Sequence, residues 1–161
     1  MTPALRTLAA EVLAAFEARG QMLATAESCT GGMVAAALTA IAGSSRVVER
    51  GFITYSNQAK TEMLGVPAGL IEAHGAVSEA VARAMAEGAL IHSHADVSLA
   101  ITGIAGPGGG TADKPVGLVH FARAERGGAT VHHGKIFPGD REAVRLAAVM
   151  TALGMLLPPP T

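Results

Sequence analysis

Apolar positions divide the first third of the chain into alternating helical and extended segments. Over residues 5–16 apolar residues recur at helical spacing, and Gly20 follows as a helix-ending residue. The short apolar run 22–26 predicts a strand, and residues 33–42 return to the helical pattern. The segment 47–55 is rich in β-branched and aromatic residues, which predicts a second strand. A strand, a polar turn and a helix therefore follow one another.

The same alternation continues to the end of the chain. The remaining predicted elements are a helix carrying Lys60, a short helical piece after Pro67, a helix from Ser78 to Leu90, strands at 95–101, 116–122 and 130–137, and a final helix at about 140–156. The last two strands are joined by a polar turn, which predicts a hairpin. Prolines at 158–160 cannot continue the final helix.

This order of elements predicts the fold class. Crossover connections between parallel strands place helices on both faces of a sheet, so we expect a three-layer α/β/α sandwich with a mixed, mostly parallel sheet. A chain of 161 residues can bury well over half of its unfolded surface in one core. The sequence contains neither an internal repeat nor an interdomain linker, so we expect residues 1–161 to form a single domain.

Charge and hydropathy exclude several classes of partner. The chain has 12 Lys and Arg against 13 Asp and Glu, without the basic stripe that binds a phosphate backbone, so we expect no nucleic-acid partner. The most apolar stretches, 33–43 and 147–157, are shorter than the roughly 20 residues that cross a bilayer. Charged residues interrupt the apolar N-terminal run, which argues against a signal peptide. We expect no membrane segment.

Cysteine and histidine content bears on compartment and metals. Cys29 is the single cysteine and cannot form an internal disulfide, which suits a reducing cytoplasm. His132 and His133 alternate on a predicted strand and are interpreted as surface residues, because neither Cys nor carboxylate spacing completes a metal site. Mean hydropathy is +0.39, so we expect apolar surface to spare and self-association, with a homodimer as the simplest assembly.

Three polar loops follow predicted strands at their carboxyl ends. These loops are residues 27–32, 55–60 and 102–110, the last being the most glycine-rich segment of the chain. Ligands of parallel sheets bind in the crevice beyond these strand ends. If the three strands are neighbours, Ser28, Tyr55, Lys60 and Thr102 converge on one cleft, which we interpret as a site for nucleophilic hydrolysis.

Ser28 is the candidate nucleophile. Serine needs a nearby base to remove its proton, and the candidate bases are Lys60 and Tyr55. Lysine serves as a base only when neutral, and partial burial lowers its pKa toward that state. Tyr55 can then relay the proton between Lys60 and Ser28.

The same residues also have non-catalytic interpretations. Ser28 and Thr30 stand where helix N-caps are common, and Lys60 on a helix is usually a solvated cation. The N–H groups of Thr30, Gly31 and Gly32 can bind an oxyanion or a phosphate, and spacing does not distinguish the two. A glycine-rich loop that only holds a nucleotide is therefore a second hypothesis.

Six motifs, taken in their order, resemble a known family. They are residues 26–32 (AESCTGG), 55–57 (YSN) with Lys60, 75–79 (GAVSE), 102–107 (TGIAGP) with 109–110 (GG), 114–117 (KPVG) and 139–141 (GDR). Each motif alone is weak, but together they closely resemble the CinA carboxyl-terminal domain family. The resemblance covers the chain from about Leu5 to Leu157.

The resemblance implies a function and roles for individual residues. It implies hydrolysis of the amide of nicotinamide mononucleotide (NMN) to nicotinate mononucleotide and ammonia, in pyridine-nucleotide salvage, with neither metal nor cofactor. By the resemblance, Ser28 is the nucleophile and Lys60 and Tyr55 activate it. The implied substrate-binding residues are Thr30, Gly31, Gly32, Asn57, Thr102, Gly103, Gly106 and Arg141, with Arg141 holding the phosphate. An amidase for a related small amide is the third hypothesis.

Overall fold

A five-stranded sheet forms the centre of the computed structural model, which describes residues 1–159. The strands are β1 (Leu23–Glu27), β2 (Val48–Ile53), β3 (Val97–Gly103), β4 (Leu118–Glu125) and β5 (Val131–Ile136). The helices are α1 (Pro3–Ala18), α2 (Met33–Thr39), α3 (Asn57–Leu64), α4 (Ala68–His74), α5 (Glu79–Ile91) and α6 (Arg141–Gly154). None of the helices within residues 1–159 has both the length and the apolar character needed to cross a bilayer.

The strand order in the sheet is β2-β1-β3-β4-β5. Strands β2 and β3 flank β1 and run parallel to it, with Glu27 opposite both Ile53 and Ile101. The carboxyl ends of these three strands therefore meet at one edge of the sheet. Strand β4 runs antiparallel to β3, and β5 forms a hairpin with β4. The prediction of a mixed, mostly parallel sheet is confirmed, since four of the five strands run in one direction and β4 runs against them.

Two apolar clusters cover the two faces of the sheet, and they differ in side-chain size. On one face, α1, α2 and α6 pack on large side chains of the strands, such as Leu99 and Phe121. On the other face, the strands present mainly alanines, including Ala24, Ala100 and Ala122, to the helices around α5. Side chains alternate between the faces of a strand, which allows this division. The predicted three-layer sandwich is confirmed.

Small residues allow helices to pack closely on the alanine face. Helix α5 contacts α3 at Gly88, where a Cβ would overlap the carbonyl oxygen of Leu64. A larger residue at position 88 would force the two helices apart. The tight packing follows from a composition rich in alanine and poor in aromatic residues, which make up 3% of the chain.

Helix termini follow the sequence signals with small shifts. The side chains of Ser56, Ser78 and Asp140 accept hydrogen bonds from the first turns of α3, α5 and α6. The predicted helix 33–42 is shorter in the structure, because α2 ends at Thr39 and residues Ser44–Arg46 form a 3-10 helix. Of the proline run that follows the last helix, Pro160 lies outside the described residues.

The interpretation of His132 as a surface residue is wrong. Its ring is partly buried on the β4–β5 hairpin and stacks on His120, with the ring centroids 5.1 Å apart. The Nδ1 of His120 and the Nε2 of His132 lie 2.8 Å apart, and His132 Nδ1 lies 3.5 Å from a carboxylate oxygen of Glu79 on α5. His133, its neighbour on β5, is exposed as predicted.

Candidate active site

A cavity of about 260 Å³ opens beyond the carboxyl ends of β1, β2 and β3. It is lined by Ser28, Cys29, Tyr55, Asn57, Lys60, Thr102 and Arg141, by residues 76 and 77, and by residues 103–106, 108 and 109. The order β2-β1-β3 makes the three strands neighbours, so their terminal loops surround one space. The structure therefore brings together the four polar side chains on which the hydrolysis hypothesis depends.

Ser28 and Lys60 are in direct contact at the bottom of this cavity. The Lys60 Nζ donates to the Ser28 Oγ at 3.0 Å. Ser28 follows the last residue of β1, and its N–H continues the sheet by donating to the carbonyl of Ile101. Lys60 lies in the first turn of α3, and side chains of a helix point back toward its N-terminus. This direction brings the ammonium group to the strand ends.

The surroundings of Lys60 favour its neutral form. The residue is 1% exposed, and its Nζ also donates to the main-chain carbonyls of Thr54 at 3.0 Å and Tyr55 at 3.3 Å. Within residues 1–159 it forms no ion pair with a carboxylate. Burial lowers the pKa of Lys60, because the ammonium loses water without gaining an opposite charge. The group next to Ser28 is therefore suited to accept a proton.

Cys29 is chemically distinct from its neighbour Ser28. Its side chain is buried, and burial raises the pKa of the thiol to about 11. At neutral pH the group is a thiol, and the thiolate is the reactive form of cysteine. Of the two adjacent candidates, Ser28 is therefore the nucleophile that the surroundings support.

Tyr55 does not have the geometry of a proton relay. Its side chain is 62% exposed, and its hydroxyl accepts a hydrogen bond from Arg141 Nη2 at 3.1 Å. Among the described residues, this is the one hydrogen bond that the hydroxyl forms. Tyr55 contacts Lys60 through its main-chain carbonyl and not through its hydroxyl. Arg141 Nη1 also donates to the carbonyl of Gly106 at 2.8 Å. The phenol therefore positions Arg141 rather than connecting Ser28 to Lys60.

Thr30, Gly31 and Gly32 lie beside the cavity and do not line it. Gly31 donates its N–H to the carbonyl of Ser28 at 3.0 Å, and both glycines have positive φ, +58° and +105°. Such φ values suit glycine, so these residues shape the turn that carries Ser28. The N–H of Gly31 is thus already paired, and Glu27 accepts the N–H groups of Val34 and Ala35 in the first turn of α2. Binding of an oxyanion or a phosphate by the N–H groups of Thr30, Gly31 and Gly32 stays a prediction.

Glu27 is a site residue that the sequence reasoning missed. Its buried carboxylate accepts hydrogen bonds from the Thr30 hydroxyl at 2.6 Å and from the N–H groups of Val34 at 2.9 Å and Ala35 at 3.1 Å. Carboxylates are stabilised at a helix N-terminus by these free N–H groups. The signal was present in the sequence, since a charged residue that ends an otherwise apolar strand needs a specific partner.

The remaining predicted binding residues lie around the rim and the glycine-rich loop. Asn57 begins α3 and lines the cavity, and the Thr102 hydroxyl donates to the carbonyl of Ala76 at 2.9 Å. At Gly103 a Cβ would lie 2.7 Å from a methyl carbon of Val119, so the strand requires glycine for close packing. Gly106 has a φ of +84°. The two glycines shape the cavity wall.

Residues 76 and 77 form another wall of the cavity, and side chains of two other segments hold them in place. Lys114 Nζ donates to the carbonyl of His74, at the end of α4. With the bond from Thr102 to Ala76, it fixes the segment that enters α5.

Within residues 1–159, no group of three or more His, Cys, Asp or Glu side chains is arranged to hold a metal ion.

Comparison with known proteins decides the family. The CinA C-terminal domain family matches residues 5–158. The chain belongs to the CinA C-terminal domain family. A solved member, the competence/damage inducible protein CihA from Agrobacterium tumefaciens, has a TM-score of 0.95 and 52% sequence identity. That match covers 97% of this chain and 95% of the solved one, so the fold extends over almost the entire family domain.

Relatives within the family differ in length. A CinA-like protein of Mycolicibacterium vanbaalenii is 58% identical over 137 residues, which cover 85% of this chain and 32% of that protein. The chain spans about a third of the length of several such relatives. The nicotinamide-nucleotide amidohydrolase PncC of Enterobacter agglomerans is 51% identical over 149 residues, covering 92% of this chain and 91% of that protein. This relative is therefore close to this chain in length.

Proposed function

We propose that this chain hydrolyses the carboxamide of nicotinamide mononucleotide, giving nicotinate mononucleotide and ammonia. The observation that carries the proposal is the 3.0 Å contact between Lys60 Nζ and Ser28 Oγ inside a cavity. A site that only binds a phosphate has no need of a serine hydroxyl paired with a buried lysine. The relative of nearly equal length, named as a nicotinamide-nucleotide amidohydrolase, supports the substrate.

The first half of the reaction forms an acyl-enzyme. Neutral Lys60 accepts the proton of Ser28 Oγ while this oxygen attacks the carboxamide carbon, forming a tetrahedral oxyanion. When the oxyanion collapses, the C–N bond breaks and the Lys60 ammonium returns its proton to the leaving nitrogen. Ammonia leaves, the nicotinoyl group stays as an ester on Ser28, and Lys60 is neutral again.

The second half releases the product. Lys60 removes a proton from a water molecule that attacks the ester carbon. The bond to Ser28 Oγ then breaks, and Lys60 gives its proton back to that oxygen, which regenerates the serine. The products are nicotinate mononucleotide and ammonia. Water supplies the new oxygen atom, so this cycle is complete without a cofactor.

Arg141 is the proposed anchor for the substrate phosphate. Its guanidinium lies at the cavity rim, where Tyr55 and the Gly106 carbonyl hold it in place. Within the described residues it has no carboxylate partner, so its charge is available to a ligand. Asn57 and Thr102 complete the proposed substrate contacts on neighbouring walls.

Ammonia release is the measurement that tests the proposal. Purified protein is assayed with NMN, with free nicotinamide and glutamine as control amides. Wild-type turnover of NMN that disappears in Ser28→Ala and Lys60→Ala supports the serine amidase. Lys135→Ala is the matched control, because Lys135 lies on the exposed edge strand β5. We expect this variant to keep full activity.

The alternative hypotheses give different results in the same assay. NMN binding without ammonia release would indicate a nucleotide-binding module, and turnover of a control amide in place of NMN would indicate another amidase. Activity that survives Ser28→Ala would contradict the role of Ser28 as nucleophile.

The proposal also treats residues 1–161 as one domain that acts in the cytoplasm as a homodimer. Light scattering on a sizing column tests the dimer.

A further inference from the structure

Helix α6 sends two arginines toward the candidate active site. Arg141 and Arg145 are one helical turn apart and therefore share a side of the helix. Arg141 contacts Tyr55 and the glycine-rich loop, whereas Arg145 reaches the turn that carries Ser28. Its Nε donates to the carbonyl of Cys29 at 3.1 Å, and its Nη2 donates to the carbonyl of Thr30 at 3.3 Å.

The guanidinium of Arg145 bonds to main-chain groups. Among the described residues it forms no ion pair, and both of its hydrogen bonds end on main-chain carbonyls. The Cys29 carbonyl has no other donor in this part of the chain. Hydrogen bonds to a charged group are roughly twice as strong as neutral ones. Arg145 is therefore the main constraint on the peptide unit that follows Cys29.

The peptide unit that precedes Cys29 is fixed as well. The carbonyl of Ser28 accepts from the N–H of Gly31 at 3.0 Å and so points into the turn. In a trans peptide the N–H points opposite to the carbonyl, so the N–H of Cys29 points away from the turn. Cys29 lines the cavity and is 6% exposed. Apart from its own thiol sulfur, a weak acceptor, no described residue accepts this N–H. A main-chain donor without a carbonyl partner at a cavity wall can donate to a ligand.

We propose that Arg145 is a positioning residue for amide hydrolysis, which holds the Ser28 turn so that the N–H of Cys29 donates to the oxyanion of the tetrahedral intermediate. The inference rests on the proposed function. Arg145 itself forms no bond to the substrate and transfers no proton. A preorganised donor aimed at developing charge acts mainly in the transition state.

The kinetic prediction separates this role from substrate binding. Removing one oxyanion donor costs about 10²- to 10³-fold in kcat, so we expect Arg145→Met, which loosens the donor, to lower kcat by about 10- to 100-fold. KM should change by less than about threefold, because the lost interaction belongs to the transition state. Arg145→Lys should recover part of kcat, since an ammonium group can donate to the same carbonyls.

Arg126 provides a matched control. It also donates to main-chain carbonyls, with Nη2 at 2.8 Å from the oxygen of Leu90 and at 2.7 Å from that of Ala95. These bonds lie at the opposite end of β3, away from the cavity. Arg126→Met should lower the unfolding temperature and leave kcat unchanged. A purely structural role of Arg145 would give the same result in Arg145→Met.

Hydrogen exchange distinguishes failure of the inference from failure of the proposed function. If the wild type does not hydrolyse NMN, the proposed function fails. Hydrogen exchange of the main-chain amides in residues 28–35 then tests by itself whether Arg145 holds the Ser28 turn in place. We expect faster exchange there in Arg145→Met and not in Arg126→Met. Unchanged exchange, unchanged kcat, or a loss confined to KM would each overturn the inference. If Arg145→Met does not fold, Arg145→Lys gives the same comparison with a smaller effect.

Discussion

Lys60 Nζ lies 3.0 Å from Ser28 Oγ, and its other hydrogen-bond partners are carbonyl oxygens. Carbonyls satisfy the hydrogens of an ammonium group without neutralising its charge. Because the group is also buried, its neutral form is favoured, and the pKa of Lys60 lies below its usual value. The arrangement suits Lys60 to the proposed role of general base.

The first prediction concerns the pH dependence of activity. Only neutral Lys60 can take the serine proton, so kcat/KM should rise with pH through the lowered pKa of Lys60 and reach a plateau above it. Lys60→Arg should lose activity at every pH, because arginine stays charged. A pH–rate profile of NMN hydrolysis checks both results. Activity that decreases from neutral to alkaline pH, or that survives in Lys60→Arg, would contradict the role.

The second prediction concerns Tyr55. Its hydroxyl bonds to Arg141 and not to Ser28 or Lys60. We expect Tyr55→Phe to raise KM for NMN several-fold and to keep most of kcat. This effect is smaller than the ~1.5 to 3 kcal/mol of a hydrogen bond to a charged group, because the hydroxyl is exposed. Steady-state kinetics separates the two constants. A large fall in kcat with KM unchanged would instead support the proton relay.

The third prediction concerns packing between α3 and α5. Gly88→Ala should lower stability by about 1 to 3 kcal/mol, because the new Cβ meets the carbonyl oxygen of Leu64. Gly69→Ala is the control, since that helical position has open space around it and should become more stable by about 0.5 to 1 kcal/mol. Denaturant unfolding measures both. Equal effects of the two substitutions would show that α5 packs less closely than described.

The fourth prediction concerns the stacked histidines. Burial lowers the pKa of His120, and the nearby His132 and Lys114 lower it further. Burial also lowers the pKa of His132, where Arg83 and His133 act in the same direction. The Glu79 carboxylate opposes both shifts. The unfolded chain therefore binds more protons below about pH 6.5, and stability should fall as the pH decreases through that value. Thermal unfolding between about pH 7.5 and 5.5 measures this loss.

Two variants test whether the loss belongs to this pair. His120→Gln should show a smaller decrease of the unfolding temperature with pH than the wild type, because one of the two lowered pKa values is removed. His92→Gln should behave like the wild type, since His92 is exposed at the end of α5, away from the pair. The same pH dependence in all three proteins would rule the pair out as its origin.

Periodicity and capping signals predicted the layers because each is a local property of the chain. Helices α5 and α6 begin next to Ser78 and Asp140, where the pattern places the start of each helix. Strands β1, β2 and β3 are neighbours, which was the condition of the three-loop argument. The convergence of Ser28, Lys60 and Thr102 followed from those strand ends. Family resemblance added the nucleotide substrate, which no periodicity encodes.

Side-chain direction is what the sequence could not provide. The spacing of Tyr55 and Lys60 is compatible with a proton relay and equally with a Tyr55 hydroxyl that points toward α6. The hydroxyl points toward α6 because it bonds to Arg141, which lies 86 residues later in the chain. Glu27 and Arg145 were missed for a similar reason. Their partners are main-chain groups of the Ser28 turn, and the path of a turn depends on the φ values of its glycines rather than on a motif.

The carboxylate of Glu27 has a consequence for turnover. The proposed hydrolysis turns a neutral amide into an anion beside Ser28, and free N–H groups at the start of α2 would retain such a product. Glu27 already accepts the N–H groups of Val34 and Ala35 at the start of α2. These two donors are therefore closed to a product carboxylate, which favours release of the product.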